Sequence, residues 1–535
     1  MSFAPPPPPP TLPLPAASPA PRRPRRWPWV TAVALLAVGL VAAVLVAVDA
    51  RRDAEAARDD AAAAVAAAAD LEQRLAEATA PPDSGDAGGG EGDAGAEGGD
   101  RGPLEDLLEG ILGGELPDLD DLLGGLGGGA EGALGGVDPA CVIGDPSDLA
   151  GGILQRGGVE GSYEEQVTAI AEAVAEERGL AFEREPAPEF VPADEFDVRI
   201  GDLVAAEYPA EQADLDSRLL QALGAVPRGT DLKALQEDLL AGQVAGYYDP
   251  DSGEIVVRVA DGEDSLDVAG QITLAHELDH MLTDQALGLP DTERAGSSDS
   301  NLAALALVEG DATLLMQRWA LTNIGLLDQL GQAFAPEAAA AQEDLEQVPP
   351  YLREELLFPY TTGLAYACRL FVDGGWEAVD AAYDDPPATT AEVLFDDGAT
   401  EAVDVDVAGA PEGWEIATTD TFGAAPLSWL FAAPGGDESA AVVADDALRS
   451  WAGGRVRLFV DGPDSAVSLV LAAGDDGVAL CEAVDQWYSA AFGGGERDGD
   501  TVSFDGTDQD AVLRCVGAEV RLGIAPDLAT AARLA

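Results

Sequence analysis

Basic residues are what this chain lacks most. Its 535 residues carry 99 acids against 28 bases, with Lys233 the one lysine, for a net charge of −71. No basic surface is left to neutralise phosphates, which argues against any protein that tracks along nucleic acid. Histidine is scarcer still, with two copies, and there are four cysteines. So few cysteines in so long a chain exclude a small disulfide scaffold, and without a CxxC spacing a thiolate zinc site is unsupported. Aliphatic residues are plentiful: 47% of the chain is hydrophobic, enough for a substantial core spread over several domain-sized units. The acid excess is spread along the chain, so it reads as a solvated surface.

Composition divides the chain into segments. Residues 1–26 are proline-rich and read as a disordered cytoplasmic tail, because proline lacks the amide that helix or sheet would use. Residues 27–49 read as a transmembrane helix: Val30 to Val48 has no charge, and Trp27 and Trp29 stand where indole rings favour a lipid interface. Arg22, Arg23, Arg25 and Arg26 before the span slightly outweigh Arg51, Arg52 and Arg58 after it, placing the N-terminus in the cytoplasm and the remainder outside the cell membrane. The alternative is a signal peptide cleaved near Val48-Asp49-Ala50, against which the length of the apolar run argues. Residues 50–80 suit an Ala-rich stalk helix, and 81–160 a Gly/Asp-rich linker, mostly disordered.

The expected fold class is α+β, with one domain over 161–400 and a smaller α+β domain over 401–535. In the first, YEEQVTAIAEAVAEERGL has helical spacing ending on glycine, and VAGYYDPDSGEIVVRV (Val244 to Val259) reads as a hairpin around a turn-forming DPDSG. Leu266 to Leu287 and Asn301 to Leu321 are long helical patterns, and Pro359 to Asp385 includes another. After Thr418 strands and a helix alternate: RVRLFV, AVSLVLAA, GVALCEAVDQWYSAAF, TVSF and VLRCVGAEVRLGI.

Both histidines fall within His276-Glu277-Leu278-Asp279-His280. On a helix, residues four apart share a face, so two imidazoles can grip one metal while Glu277 reaches a water beside it. Chance would put the two histidines in this pattern on the order of a few times in ten thousand. The plain alternative is an amphipathic helix with two satisfied core histidines. No third imidazole exists, and the extended HExxHxxGxxH pattern would need Gly at Thr283 and His at Ala286. A catalytic zinc takes three protein ligands, so a carboxylate from the next helix is expected to complete the set. Glu309, set in the apolar run ALALVEGDATLL, is that candidate, since a carboxylate there needs a cation or a proton to be tolerated. Asp311 and Asp284 are candidates to support a ligand from behind.

LAHELDH with ALVEGDA resembles the gluzincin metallopeptidases. More closely, GQVAGYYDP, LAHELDHMLTDQ, ALVEGDATLL, FPYTTGLAY and PPATTAEVLF are similar, in this order, to a set of poorly characterised bacterial membrane-anchored HExxH proteins. The resemblance covers about Leu223 to Phe395. It implies a zincin-like domain of a small sheet plus active-site helices, with Zn2+ held by His276, His280 and Glu309 and with Glu277 as general base. It also leads one to expect a histidine where this chain has Phe395.

The implied reaction is hydrolysis of a peptide or protein substrate at a zinc-bound water, with Glu277 moving the proton to the leaving amine. With no spare histidine, Tyr360 in FPYTTG is the candidate to stabilise the oxyanion, against a plain buried or turn tyrosine. Strand Glu254 to Val259 would orient the substrate if it lies at a sheet edge. The alternative function is a non-catalytic surface protein that keeps the zincin fold for binding or scaffolding. Cys141, Cys368, Cys481 and Cys515 allow three pairings, of which Cys481 with Cys515 is preferred. Asp249, Asp251 and Glu254 read as turn acids rather than a calcium loop.

Overall fold

A computed structural model describes residues 139–142, 158–236, 244–260, 262–290, 297–324, 341, 344–395 and 402–535. The tail, membrane span, stalk and most of the linker expected from the sequence lie outside these residues. No helix among the described residues is long and apolar enough to cross a membrane. The fold is mixed α+β.

Helix α1 (Tyr163–Arg178) opens on a capping box between Ser162 and Glu165 and ends on Gly179, whose φ of 67° lets the chain leave the helix. Its buried stripe, Val167, Ile170, Ala171, Val174 and Arg178, follows the helical repeat. Strand β1 (Glu189–Pro192) leads into helices α2 (Ala193–Glu207) and α3 (Ala210–Leu223). The hairpin forms as expected, with β2 (Gly246–Asp249) antiparallel to β3 (Glu254–Val259). Its turn is tied by Asp249, which accepts hydrogen bonds from the Asp251 amide and the Ser252 hydroxyl.

The sequence left open whether β3 lies at a sheet edge or inside the sheet. Strand β3 is not at an edge: the sheet order is β1-β3-β2, with β1 parallel to β3. The short β1, which has too little pattern to be seen in sequence, covers the far side of β3 and leaves β2 as an edge among the described residues.

Helices α4 (Val268–Ala286) and α5 (Ser298–Asn323) start on side-chain caps, Asp267 accepting from the Gly270 amide and Ser297 from that of Ser300. Both are buried on all sides, from Gln271 to Thr283 and from Ala303 to Met316, as expected of helices in the middle of a domain. Helix α6 (Pro350–Gly374) begins well before the block Pro359 to Asp385 in which a helix was expected. Pro350 serves as the first residue, where no amide is needed, and Pro359 is carried in the interior at the loss of one hydrogen bond. Helices α7 (Trp376–Asp384) and α8 (Thr390–Leu394) follow.

The C-terminal part begins with β4 (Glu415–Thr421), α9 (Ala424–Ala432) and α10 (Asp445–Arg449). Then come β5 (Trp451–Asp461), β6 (Asp464–Ala473), α11 (Val478–Phe492), β7 (Glu496–Asp498), β8 (Thr501–Phe504), β9 (Asp510–Val516), β10 (Glu519–Ala525) and α12 (Leu528–Leu534). Its sheet has seven antiparallel strands in the order β4-β5-β6-β10-β9-β8-β7. One apolar core runs from this sheet through α9 and α11 into α3, α5, α6 and α8. Polar contacts reinforce the junction. The Thr390 hydroxyl donates to Asp299 at 2.5 Å and accepts from the Ala425 amide at 3.0 Å, while Ser298 bonds to Asp420. Cys481 pairs with Cys515, and Cys141, in the stretch read as linker, is buried and pairs with Cys368 on α6.

Candidate metal centre

Helix α4 presents His276 and His280 from one face, as their spacing requires, and α5 crosses it to bring Glu309 to the same point. His280 Nε2 lies 3.0 Å from His276 Nε2, and Glu309 Oε2 lies 3.2 Å and 3.4 Å from the two rings. All three side chains are buried. This is the only group of three metal-type donors found among the described residues. Two imidazole lone pairs and a carboxylate aimed at one point repel each other unless a cation or shared protons stand between them. One proton satisfies a single contact, whereas an ion satisfies all three. Ligands at 2.0–2.1 Å around a tetrahedral zinc are separated by about 3.3–3.4 Å, and the observed spacings are close to that. Glu309 Oε1 is buried without a hydrogen-bond partner, a further acceptor that a cation would compensate.

The electrostatics separate the two glutamates. Burial raises the Glu309 carboxyl, but His280 and His276 outweigh it and hold Glu309 below the ordinary 4.5. The His280 ring, disfavoured as a cation by burial, is raised on balance by Glu309 and by Asp279 and Asp311. Glu277, one residue round the helix, is pushed up to about 8, chiefly by burial, with His276 opposing and Glu309 adding to the rise. The backbone amide of Tyr248 on β2 also opposes the rise. The Arg258 amide donates to the Ala245 carbonyl, so by antiparallel alternation Gly246 and Tyr248 turn their amides outward, toward α4. Gly246 lets the strand come this close: a Cβ there would stand 2.7 Å from Thr273 Cγ2 and 3.4 Å from Glu277 Cγ.

Tyr360 is buried on α6, its ring centroid 6.4 Å from that of His276. It is placed there by a helix crossing in which glycines of two sequence motifs meet. A Cβ on Gly310, beside Glu309, would stand 2.1 Å from the Gly363 carbonyl oxygen, and one on Gly363 would stand 2.3 Å from that of Ala306.

Asp311 and Asp284 do not hydrogen-bond the two histidines, and both Nδ1 atoms lack a partner among the described residues. Asp284 accepts the Tyr248 hydroxyl at 2.7 Å. Asp311 faces away, two residues round the helix from Glu309, and meets Arg178 at 2.9 Å and the Tyr383 hydroxyl at 2.8 Å. Arg178 is the residue that sequence reasoning passed over. Fully buried, it also reaches Asp279 at 3.2 Å and Asp380 at 2.7 Å, and stacks on Trp376 with 4.4 Å to the ring centroid. Its one signal in the sequence is a charge on the apolar stripe of α1. Phe395, where a histidine was looked for, lies under the Arg449 guanidinium, 5.0 Å from its ring centroid.

No protein-family model, curated protein or solved structure matches this chain.

Proposed function

We propose that this chain is a gluzincin-type zinc metallopeptidase, tethered by residues 27–49 and acting outside the cytoplasm on peptide or protein substrates. The convergence of His276, His280 and Glu309 within 3.4 Å, with Glu277 beside them, carries the reading. Zinc held there would supply a Lewis acid for the scissile carbonyl and lower the pKa of a bound water to about 7. The chain's own groups account for the rest. Glu277, with the Tyr248 amide acting on its carboxyl, would take the water's proton and hand it to the leaving amine. The outward amide of Gly246 on edge strand β2 can pair an extended substrate next to Glu277. Tyr360 is the candidate donor to the oxyanion.

The burial of all three donors and of Glu277 favours a second reading, a structural ion in a non-catalytic surface protein. Against it stands Glu277 itself, a carboxyl raised by burial with one oxygen unpartnered, for which a structural site has no use. The purified full chain should contain one zinc by elemental analysis. It should also hydrolyse members of a peptide library, while Glu277→Gln keeps the zinc and loses about 10²–10⁴-fold in rate. Zinc without turnover of any peptide supports the structural role; no zinc removes both readings.

A further inference from the structure

Arg178 is the last residue of α1, released from the helix by Gly179, and its guanidinium is wedged between the two helices that carry the metal-type donors. Its Nε meets Asp279 on α4, immediately before His280, and its Nη2 meets Asp311 on α5, two residues after Glu309. The third arm, Nη1, is anchored on α7 through Asp380, and Trp376 covers the flat face. One planar group thus fixes α4 relative to α5 at the level of the ligands. Burying one cation against two buried carboxylates and a third that is partly exposed is a poor way to gain stability, since apolar residues of similar volume usually do as well or better. It is an effective way to hold two helices in register, because the fork satisfies several carboxylates only in one arrangement.

Resting on the zinc reading above, we infer that Arg178 is a positioning residue for the metal centre, holding Glu309 at coordination distance from His276 and His280 through Asp279 and Asp311. Metal donors tolerate displacements of only about 0.2 Å, so a slide of α5 along α4 too small to unfold the protein would weaken the site.

The test uses the purified full chain, stripped of metal and reloaded, with Arg178→Met, which keeps bulk, and Arg178→Lys, which keeps charge but offers a point donor in place of a fork. Zinc dissociation constants come from chelator competition at a temperature well below melting, and the ligand-field spectrum is recorded with cobalt(II). Both variants should bind zinc about 10–100-fold more weakly than wild type, with a shifted cobalt spectrum. A merely structural role would lower the melting temperature of the metal-free protein while leaving zinc affinity and spectrum unchanged, and that result overturns the inference. Should Arg178→Met not fold, Arg178→Lys alone decides by the same readouts. If the wild type itself binds neither ion, the zinc reading fails and takes this inference with it; if only the variants match wild type, the zinc reading survives.

Discussion

Two buried glutamates within one site ionise in opposite directions. Glu309 faces two imidazoles and is held low, while Glu277 is raised to about 8, chiefly by burial, with His276 opposing and Glu309 adding to the rise. Such a divergence is what the proposed division into a ligand and a base requires of two chemically identical side chains. Away from the centre, Asp299 ties pH to stability. Only 3% exposed, it is raised from 3.8 to about 6, chiefly by burial, although Thr390 donates to it. An acid raised on folding holds its proton longer in the native state, so its favourable contribution is complete below about pH 3.8 and is lost as pH climbs through 6. The loss is on the order of 3 kcal/mol. Asp299→Asn keeps an acceptor for Thr390 without the charge. Its melting temperature should therefore gain on wild type between pH 4 and 6 and hold a constant offset above pH 7. Parallel curves across that interval would contradict the assignment.

At the scale of elements, the crossing of α5 and α6 is decided by missing side chains. Gly310 and Gly363 bring the backbones into contact, which seats Glu309 against α4 and puts Tyr360 beside His276. A methyl at Gly363 meets the backbone of Ala306 rather than a side chain that can swing away. Gly363→Ala should cost about 1–3 kcal/mol by overpacking and reduce bound zinc. Denaturant midpoints together with elemental analysis measure the two effects, and wild-type values for both would show that the helices have room to spare.

For the molecule as a whole, the C-terminal sheet is not an appendage. Its core includes Ala303 and Ala306 of α5, Phe358 of α6 and Ala391 and Val393 of α8, all at most 1% exposed. The Thr390–Asp299 contact grips the start of the same helix that carries Glu309. A chain ended at Thr400 should consequently lose near-ultraviolet dichroism and zinc together; a soluble, metal-loaded truncation would show two independent units. At the other end, the Cys141–Cys368 bridge closes a separation of 227 residues. Restricting the unfolded chain over such a loop is worth up to about 5 kcal/mol. Replacing both cysteines by serine should lower the unfolding midpoint accordingly while leaving zinc stoichiometry intact, and an unchanged midpoint would mean the loop is already restricted when unfolded.

The α+β class, the hairpin, α1, α4, α5 and most C-terminal strands follow from periodicity and caps, because those signals act over a few residues and survive in any context. The pair of histidines was legible for the same reason: four residues apart on a helix fixes a shared face without knowledge of anything else. Which strand became the edge, which proton acceptors the imidazoles lack, and where Asp311 and Arg178 point were not legible, since each depends on partners distant in the chain. Asp279 and Asp311 are separated from Arg178 by 101 and 133 positions, and no local pattern records such a meeting. The sequence by itself determined that two imidazoles share one helix face with Glu277 beside them. Tertiary structure decided that Glu309, a candidate in the sequence, meets the two imidazoles and that a buried arginine spans the same two helices, because close packing, not periodicity, sets the distance between two helices.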